Sequence, residues 1–271
     1  MPDDPGGGAL KDLSGQVALV TGAAGGIGRA AVRMLLSRGA TVAAVDLQVL
    51  DTRAFVAQAS CDAPARLQAW RCDVTDARAV AGACDEVRAQ LGDVSILVNT
   101  AGGSGAQRVQ TLEETTDEIW ETVLSVNLTS VLRFARAVVP GMKQAKYGRI
   151  VNLSSSLRDG VVGPVGTVGA RLPYITSKSA LVGLTRQLAK DLAAFGITVN
   201  AVAPGLTLPG EDAAVTRRFR ALTAEQQAGA IRRIPSGRPA DGEDIANAIG
   251  FLVSPGARHV NGQVLDVNGG A

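Results

Sequence analysis

"TGAAGGIGRAAVRMLLSRGA" (residues 21–40) follows the short β-branched run "QVALV" (16–20) and sets Gly22, Gly26 and Gly28 ahead of an Ala- and Leu-rich segment that ends near Gly39. An apolar run followed by a helix-period segment, with glycines at the junction, predicts a strand, a tight turn and a helix. Glycine allows the sharp turn and a close approach of the backbone to a ligand, and the free N–H groups at a helix N-terminus stabilise an anion. Glycines also close ordinary turns, but their place between a first strand and a first helix points to a dinucleotide pyrophosphate.

Further β-branched runs recur along the chain: "ATVAAVD" (40–46), "LQAWRCD" (67–73), "SILVN" (95–99), "GRIVNLS" (148–154), "ITVNAVA" (197–203) and "GQVLDVN" (262–268). Most are apolar on both faces, and helix-length segments separate them. Strands buried on both sides and joined through helices predict an α/β doubly wound, Rossmann-type fold, with about seven parallel strands and helices on each face. Ligands in that architecture sit at the carboxyl ends of the strands. At 271 residues and 46% hydrophobic content the chain can fill one large core. The expected organisation is a loose, Pro- and Gly-rich N-terminal tail over 1–12 and one domain over 13–271.

The strand ends carry polar residues suited to a cofactor. Asp46 closes the second strand, where a dinucleotide fold presents the adenosine ribose, and its carboxylate would accept from both ribose hydroxyls and repel the 2′-phosphate of NADP. Neither Gly25 nor Leu47 supplies an offsetting cation, so NAD is favoured over NADP. Asp73 and Val74 close the third strand and could meet the adenine. Asn99, Ala101 and Gly102, in "NTAGG" (99–103), could line the cofactor or merely build a turn.

Composition removes other chemistries. A net charge of +2 without a basic tract argues against nucleic acid as the partner. No signal peptide opens the chain, and no uninterrupted apolar stretch reaches the ~18 residues of a membrane span. Cys61, Cys72 and Cys84 show neither metal-ligand nor redox-motif spacing, which fits buried thiols in a cytoplasmic protein. The single histidine, His259, leaves little material for a histidine base or a zinc site, so no metal is expected. A small molecule is the expected ligand.

After the fifth strand come "NLSSS" (152–156), a long loop and "PYITSKSALVGLTRQLAKDL" (173–192), whose periodicity suits a helix beginning near Pro173. Tyr174 and Lys178, four residues apart, share one face of it. A free tyrosine has a pKa of ~10 and is a poor base at neutral pH, but an adjacent ammonium and an oxidised nicotinamide ring both favour its phenolate. A serine on the neighbouring strand could hold a substrate oxygen against the phenol. The set needs no histidine.

With these residues in view, the chain resembles the short-chain dehydrogenase/reductase family from about residue 13 to its end: "TGAAGGIG", Asp46, "CDV", "NTAG", "SVNLTS", "NLSS", "YITSK", "NAVAPG" and the closing "HVNGQVLDVNGG". The resemblance implies that Tyr174 exchanges the proton with the substrate oxygen and that Lys178 binds the nicotinamide ribose and tunes Tyr174. It implies that Ser155 polarises the substrate oxygen, with Ser154 and Ser156 as runners-up, and that Asn127 links Lys178 to solvent through a held water. It further implies cofactor contacts from Ile27 within the glycine-rich turn, from Pro204 and Gly205 beside the carboxamide, and from Thr207. Thr207 would partly replace a threonine whose place Pro209 takes, and Thr100 stands where a second asparagine is common.

The implied activity is hydride transfer between NAD(H) and a secondary alcohol or its ketone. An NADPH-dependent reductase of 3-oxoacyl thioesters on acyl carrier protein is the alternative, and a non-catalytic NAD-binding regulator is a third reading. The resemblance also implies a homotetramer or homodimer. Two variable regions should shape substrate choice: the insertion between Ser155 and Tyr174, which carries Arg158, Asp159 and Arg171, and a helical lid over 206–235 with Arg217, Arg218 and Arg220.

Overall fold

A computed structural model describes residues 11–48, 50–59 and 64–271 of the chain. Residues 1–10 of the expected tail, and Cys61, lie outside the described residues. β1 (Val17–Thr21) leads to α1 (Gly26–Ser37), β2 (Thr41–Asp46), α2 (Thr52–Ala59), β3 (Leu67–Arg71), α3 (Ala77–Leu91) and β4 (Ile96–Asn99). α4 (Asp117–Leu124) runs through a π-helical turn, Ser125–Thr129, into α5 (Ser130–Ala145). β5 (Gly148–Leu153), α6 (Arg171–Leu192), β6 (Ile197–Pro204), α7 (Ala214–Arg220), α8 (Ala224–Arg232), α9 (Gly242–Val253) and β7 (Val264–Val267) complete the order.

The seven strands form one parallel sheet in the order β3-β2-β1-β4-β5-β6-β7. Each of the seven strand-forming runs in the sequence is a strand, because each is flanked by helix-length segments that must cross over to the same edge. Alternation assigns the two faces. Ala18, Val20, Val42 and Ala44 bury against Leu35 of α1 and Ile245 and Ile249 of α9. Leu19, Ala43 and Val45 point the other way, toward Val87 of α3 and Phe134 and Val138 of α5.

The helical run Asp117–Ala145 is long and apolar enough, with a mean hydropathy of 1.3 over an 18-residue window, to meet the length and composition test for a membrane span. Its apolar residues have an internal partner: Val131, Phe134, Ala135, Val138 and Met142 are buried, the last four of them in the core of one sheet face.

Small residues let α1 and α9 approach closely. A Cβ at Gly250 would lie 2.8 Å from Arg38 Nη1 and 3.0 Å from Met34 Sδ. Arg38 also donates to the Gly250 carbonyl and through Nε to Asp12 Oδ1 (2.8 Å), which ties the segment before β1 to this helix pair. Both near atoms end flexible side chains, so Gly250→Val should displace the Arg38 guanidinium from the Gly250 carbonyl and cost about 1 kcal/mol, read as a lower urea midpoint. An unchanged midpoint would overturn the close packing.

Candidate active site

The carboxyl ends of β1, β4, β5 and β6 lie side by side and open into a cavity of about 770 Å³. The turn after β1 forms one wall. Gly22 has φ +67°, and a Cβ there would lie 2.7 Å from the Ala101 nitrogen, so the turn presses on the exit of β4. A Cβ at Gly28 would lie 2.1 Å from the Gly22 carbonyl, which makes glycine obligatory at both positions. No side chain caps α1 at Gly25, and Gly25, Gly26 and Ile27 line the cavity, so the first-turn N–H groups are left to an anion. These features fit the diphosphate of a dinucleotide.

The neighbouring exits complete that wall. Thr100 donates through Oγ1 to the Thr21 carbonyl, and the Ala101 N–H donates to Thr21 Oγ1 (3.1 Å), so threonine at position 100 keeps the turn tied to β1. Gly102, Pro204, Gly205 and Thr207 line the cavity, and Thr207 Oγ1 donates to the Gly205 carbonyl at 3.1 Å. Pro209 lies over the glycine-rich turn, its carbonyl 2.6 Å from where a Gly26 Cβ would be.

Other sequence-predicted residues sit outside this cavity wall. Asp46 is half-buried at the end of β2, where Oδ2 accepts from the Ala24 N–H and Oδ1 from the Gln48 N–H, both at 3.0 Å. Asp73 accepts from the Thr75 N–H (2.8 Å) and hydroxyl (2.6 Å), bonds that hold its carboxyl below the usual range, and Val74 follows it in the same turn. Asn99 turns into the sheet instead of toward a cofactor. Its Nδ2 donates to Asn152 Oδ1 (2.9 Å), and Asn152 Nδ2 donates to Thr185 Oγ1 (2.9 Å) on α6.

Tyr174, Ser155, Lys178 and Asn127 come together beside the exits of β4 and β5. Tyr174 stands on the first turn of α6, half-buried against Val109, Val123 and Ala170. Burial pushes its phenol pKa up, and the Ser155 hydroxyl beside it pulls the other way. Ser155, 6% exposed, begins the turn after β5, and its Oγ accepts from the Leu157 N–H at 3.2 Å. Ser154 is committed elsewhere, donating to the Lys178 carbonyl at 2.8 Å, while Ser156 lines the cavity.

Lys178 is 4% exposed, donates from Nζ to the Leu153 carbonyl (2.7 Å) and lies 5.7 Å from the centre of the Tyr174 ring. Desolvation lowers its pKa to about 7. Asn127 sits in the π-helical turn, where its Nδ2 donates to the Gly103 (2.7 Å) and Val123 (2.8 Å) carbonyls and its Oδ1 accepts from the Gly103 N–H (3.1 Å). A Cβ at Gly102 would lie 2.7 Å from Asn127 Oδ1 and 3.3 Å from Lys178 Nζ, so the two groups flank the strand exit.

The insertion forms part of the cavity rim, as its tethered ends require. Gln110 donates through Nε2 to the Gly169 carbonyl (2.6 Å) and accepts from the Val165 N–H (3.0 Å), and Ser104 Oγ accepts from the Gly169 N–H (2.7 Å). None of the insertion's charges lines the cavity. Arg158 binds Asp266 of β7 at 2.6 and 3.0 Å with Asp159 nearby, and Arg171 donates to the Gly163 carbonyl. Ser104 and Gln110 were not singled out by sequence, since their side-chain partners lie more than fifty residues away, and Arg108, which lines the cavity, carries no sequence signal either.

Cys72 and Cys84 are buried free thiols whose pKa values burial pushes up to about 11 and about 12. No group of three or more His, Cys, Asp or Glu among the described residues could hold a metal.

A family model described as "Enoyl-(Acyl carrier protein) reductase" matches residues 22–271. The chain is 38% identical over 260 residues to the 3-oxoacyl-[acyl-carrier-protein] reductase FabG of Escherichia coli (strain K12), covering 96% of this chain and 98% of that protein. It is 35% identical over 259 residues to the protein of that name from Vibrio harveyi, with the same coverage. For the one from Thermotoga maritima the figures are 36% over 258 residues, with 95% and 98% covered.

The low pKa of Lys178 has a consequence for stability. Between about 7 and the 10.5 of a free amine, the folded chain binds fewer protons than the unfolded one, so stability rises with pH across that window. The destabilisation is fully present below about 7 and fades toward 10.5. Lys178→Met removes it. The variant should gain stability relative to the parent as pH falls from about 10 to about 6, measured as urea midpoints, and a pH-independent difference would show an ordinary lysine pKa.

Proposed function

The chain belongs to the short-chain dehydrogenase/reductase family, an NAD(P)-dependent oxidoreductase family, and from that premise we propose that it reduces the keto group of a 3-oxoacyl thioester to the alcohol with NADH. The observation that carries this reading is the convergence of the Ser155 and Tyr174 hydroxyls on one wall of the cavity, with the Lys178 amine behind the phenol. Two hydroxyls beside each other suit a single carbonyl oxygen, which one polarises and the other protonates. Reduction of an enoyl double bond would use these hydroxyls only to stabilise the enolate charge on the thioester oxygen, with the proton ending on carbon, whereas reduction of a ketone uses both on one oxygen that keeps the proton. The 3-oxoacyl activity named for the relatives therefore supports the reading better than the family model's description.

When bound, the nicotinamide supplies the hydride to the carbonyl carbon. Tyr174 Oη gives its proton to the carbonyl oxygen, which becomes the alcohol hydroxyl, and takes a proton back in the reverse direction. Ser155 Oγ donates to the same oxygen as negative charge develops on it. Lys178 favours the phenolate left after transfer, offsetting the burial that otherwise raises the phenol pKa. Asn127 holds the Gly103 strand exit beside Lys178, and α7 and α8 with the insertion line the cavity.

Cofactor choice turns on Asp46, whose carboxylate repels a 2′-phosphate. A second reading, NADPH, is favoured by Arg71, which stands opposite Asp46 in the β2–β3 register and makes no ion pair with it among the described residues. An NAD(H)-dependent dehydrogenase of another secondary alcohol would use the same groups. We also infer a cytoplasmic homotetramer or homodimer: the raised thiols are inert in keeping with a reducing compartment, and edge strand β7 leaves Leu265 exposed.

NADH consumption with a 3-oxobutanoyl thioester tests the chemistry, with Tyr174→Phe alongside. The variant should lose ~10²- to 10⁴-fold in kcat while still binding NADH, and parent-like turnover would overturn the role of Tyr174. The ratio of kcat/KM for NADH to that for NADPH should favour NADH and fall ~10-fold or more in Asp46→Ala. A parent ratio favouring NADPH, erased by Arg71→Ala, would establish the second reading.

A further inference from the structure

Resting on the reductase reading, the geometry points to a subsite at the cavity mouth for an oxyanion carried by the substrate, a phosphate or carboxylate, held by Arg218 and Arg108.

The lid carries several arginines, and the structure sorts them. Arg217 donates to the Asp212 carbonyl, and Arg220 pairs with Glu211. Arg218 is the member of that α7 trio that lines the cavity. Its Nη1 donates to Ser104 Oγ at 3.0 Å and its Nη2 to the Gly105 carbonyl at 2.6 Å, both neutral partners that orient the guanidinium without cancelling its charge. Arg108 and Arg233 line the same cavity, and among the described residues none of the three forms an ion pair.

Among the described residues no Asp or Glu side chain lines this cavity; the one acidic group there is the terminal carboxylate of Ala271, which forms no ion pair with the three arginines. Arginines without ion pairs are ordinary on an open surface, where water and salt screen them. Arg108 and Arg233 are themselves exposed, but Arg218 is half-buried, and the cavity it lines has apolar walls that include Leu157, Val165, Val168, Leu222 and Ile234. Burial and the neighbouring charges of Arg217 and Arg108 lower the pKa of Arg218, the signature of cations gathered without a counter-charge. A bound oxyanion removes that repulsion through charge-assisted hydrogen bonds.

The cofactor's diphosphate does not account for the cluster. Its fit is to the uncapped start of α1, whereas Arg218 reaches past Gly102 and Gly103 to Ser104 and Gly105, on the loop that the insertion grips. The apolar wall would take the acyl chain and the arginines the charged end.

The test uses the full chain and two matched substrate pairs. 3-Oxobutanoyl-coenzyme A against the 3-oxobutanoyl thioester of N-acetylcysteamine reads a phosphate, and 3-oxobutanoate against its ethyl ester reads a carboxylate. The parent should prefer the charged member of one pair, which identifies the source. In Arg108→Gln and Arg218→Gln that charged-to-neutral ratio of kcat/KM should fall ~10- to 100-fold through KM, while Arg217→Gln keeps it. Arg108→Gln is the cleaner variant, because Arg218 also latches the lid to Ser104.

No preference in either pair, a preference that survives both substitutions, or an effect confined to the cofactor KM overturns the subsite. If none of the four ketones turns over, the reductase reading fails instead. Titration calorimetry of 3-oxobutanoyl-coenzyme A and of 3-oxobutanoate into NAD-loaded protein then decides the subsite: binding that weakens in both arginine variants upholds it, and binding that does not, or no binding, overturns it.

Discussion

Lys178 Nζ donates to the carbonyl of Leu153 at 2.7 Å, and one residue on, Ser154 Oγ donates to the carbonyl of Lys178 at 2.8 Å. This reciprocal clamp between the end of β5 and the first turns of α6 is buried, where an unpaired polar group would cost far more than at the surface. It sets the height of the helix against the strand, and with it the approach of Tyr174 to Ser155. The bonds from Asn99 to Asn152 and from Asn152 to Thr185 extend the same attachment deeper into the sheet, from β4 through β5 to α6. Buried hydrogen bonds of this kind, in a low-dielectric interior, hold the strand ends and the helix in one relative geometry.

The same burial that locates Lys178 tunes it. Desolvation lowers the amine to about 7 and raises the phenol of Tyr174, so neither group holds its charge easily when alone. Each depends on its neighbours at the site to hold charge, which couples the chemistry to ligand binding. Ser104 plays the matching part at the mouth. Its hydroxyl accepts from Gly169 of the insertion and from Arg218 of the lid, so two chain segments of variable design meet on one strand exit. Gly166 packs where a Cβ would lie 2.8 Å from Leu222 Cδ2, which leaves little room between the insertion and the lid.

Strand positions, the glycine-rich turn and the Tyr174–Lys178 pair were legible because each depends on near neighbours in the chain: period-2 and helix-period patterns, a Gly with φ +67° at position 22, two side chains one turn apart. The serine run after β5 was legible too, but not that the Lys178 carbonyl occupies the Ser154 hydroxyl. The bond from Asn99 Nδ2 to Asn152 was not legible, because Asn152 is brought beside it only by the β4–β5 register; the buried Asn99 Oδ1 has no partner. The insertion's arginines read as substrate contacts, yet Arg158 is held by Asp266, more than a hundred residues away.

The sequence by itself determined the doubly wound sheet, the glycine-rich turn after its first strand and the placing of Tyr174 and Lys178 on one helix face, since local propensity and short spacings dictate these. Only the tertiary structure decided which way each charged or amide side chain turns. It places Arg71 opposite Asp46, sends Arg217 and Arg220 outward and Arg218 inward, and engages Asn127 with the Gly103 backbone. The physical reason is that a polar side chain goes where a partner satisfies it, and those partners come from segments that only folding brings together.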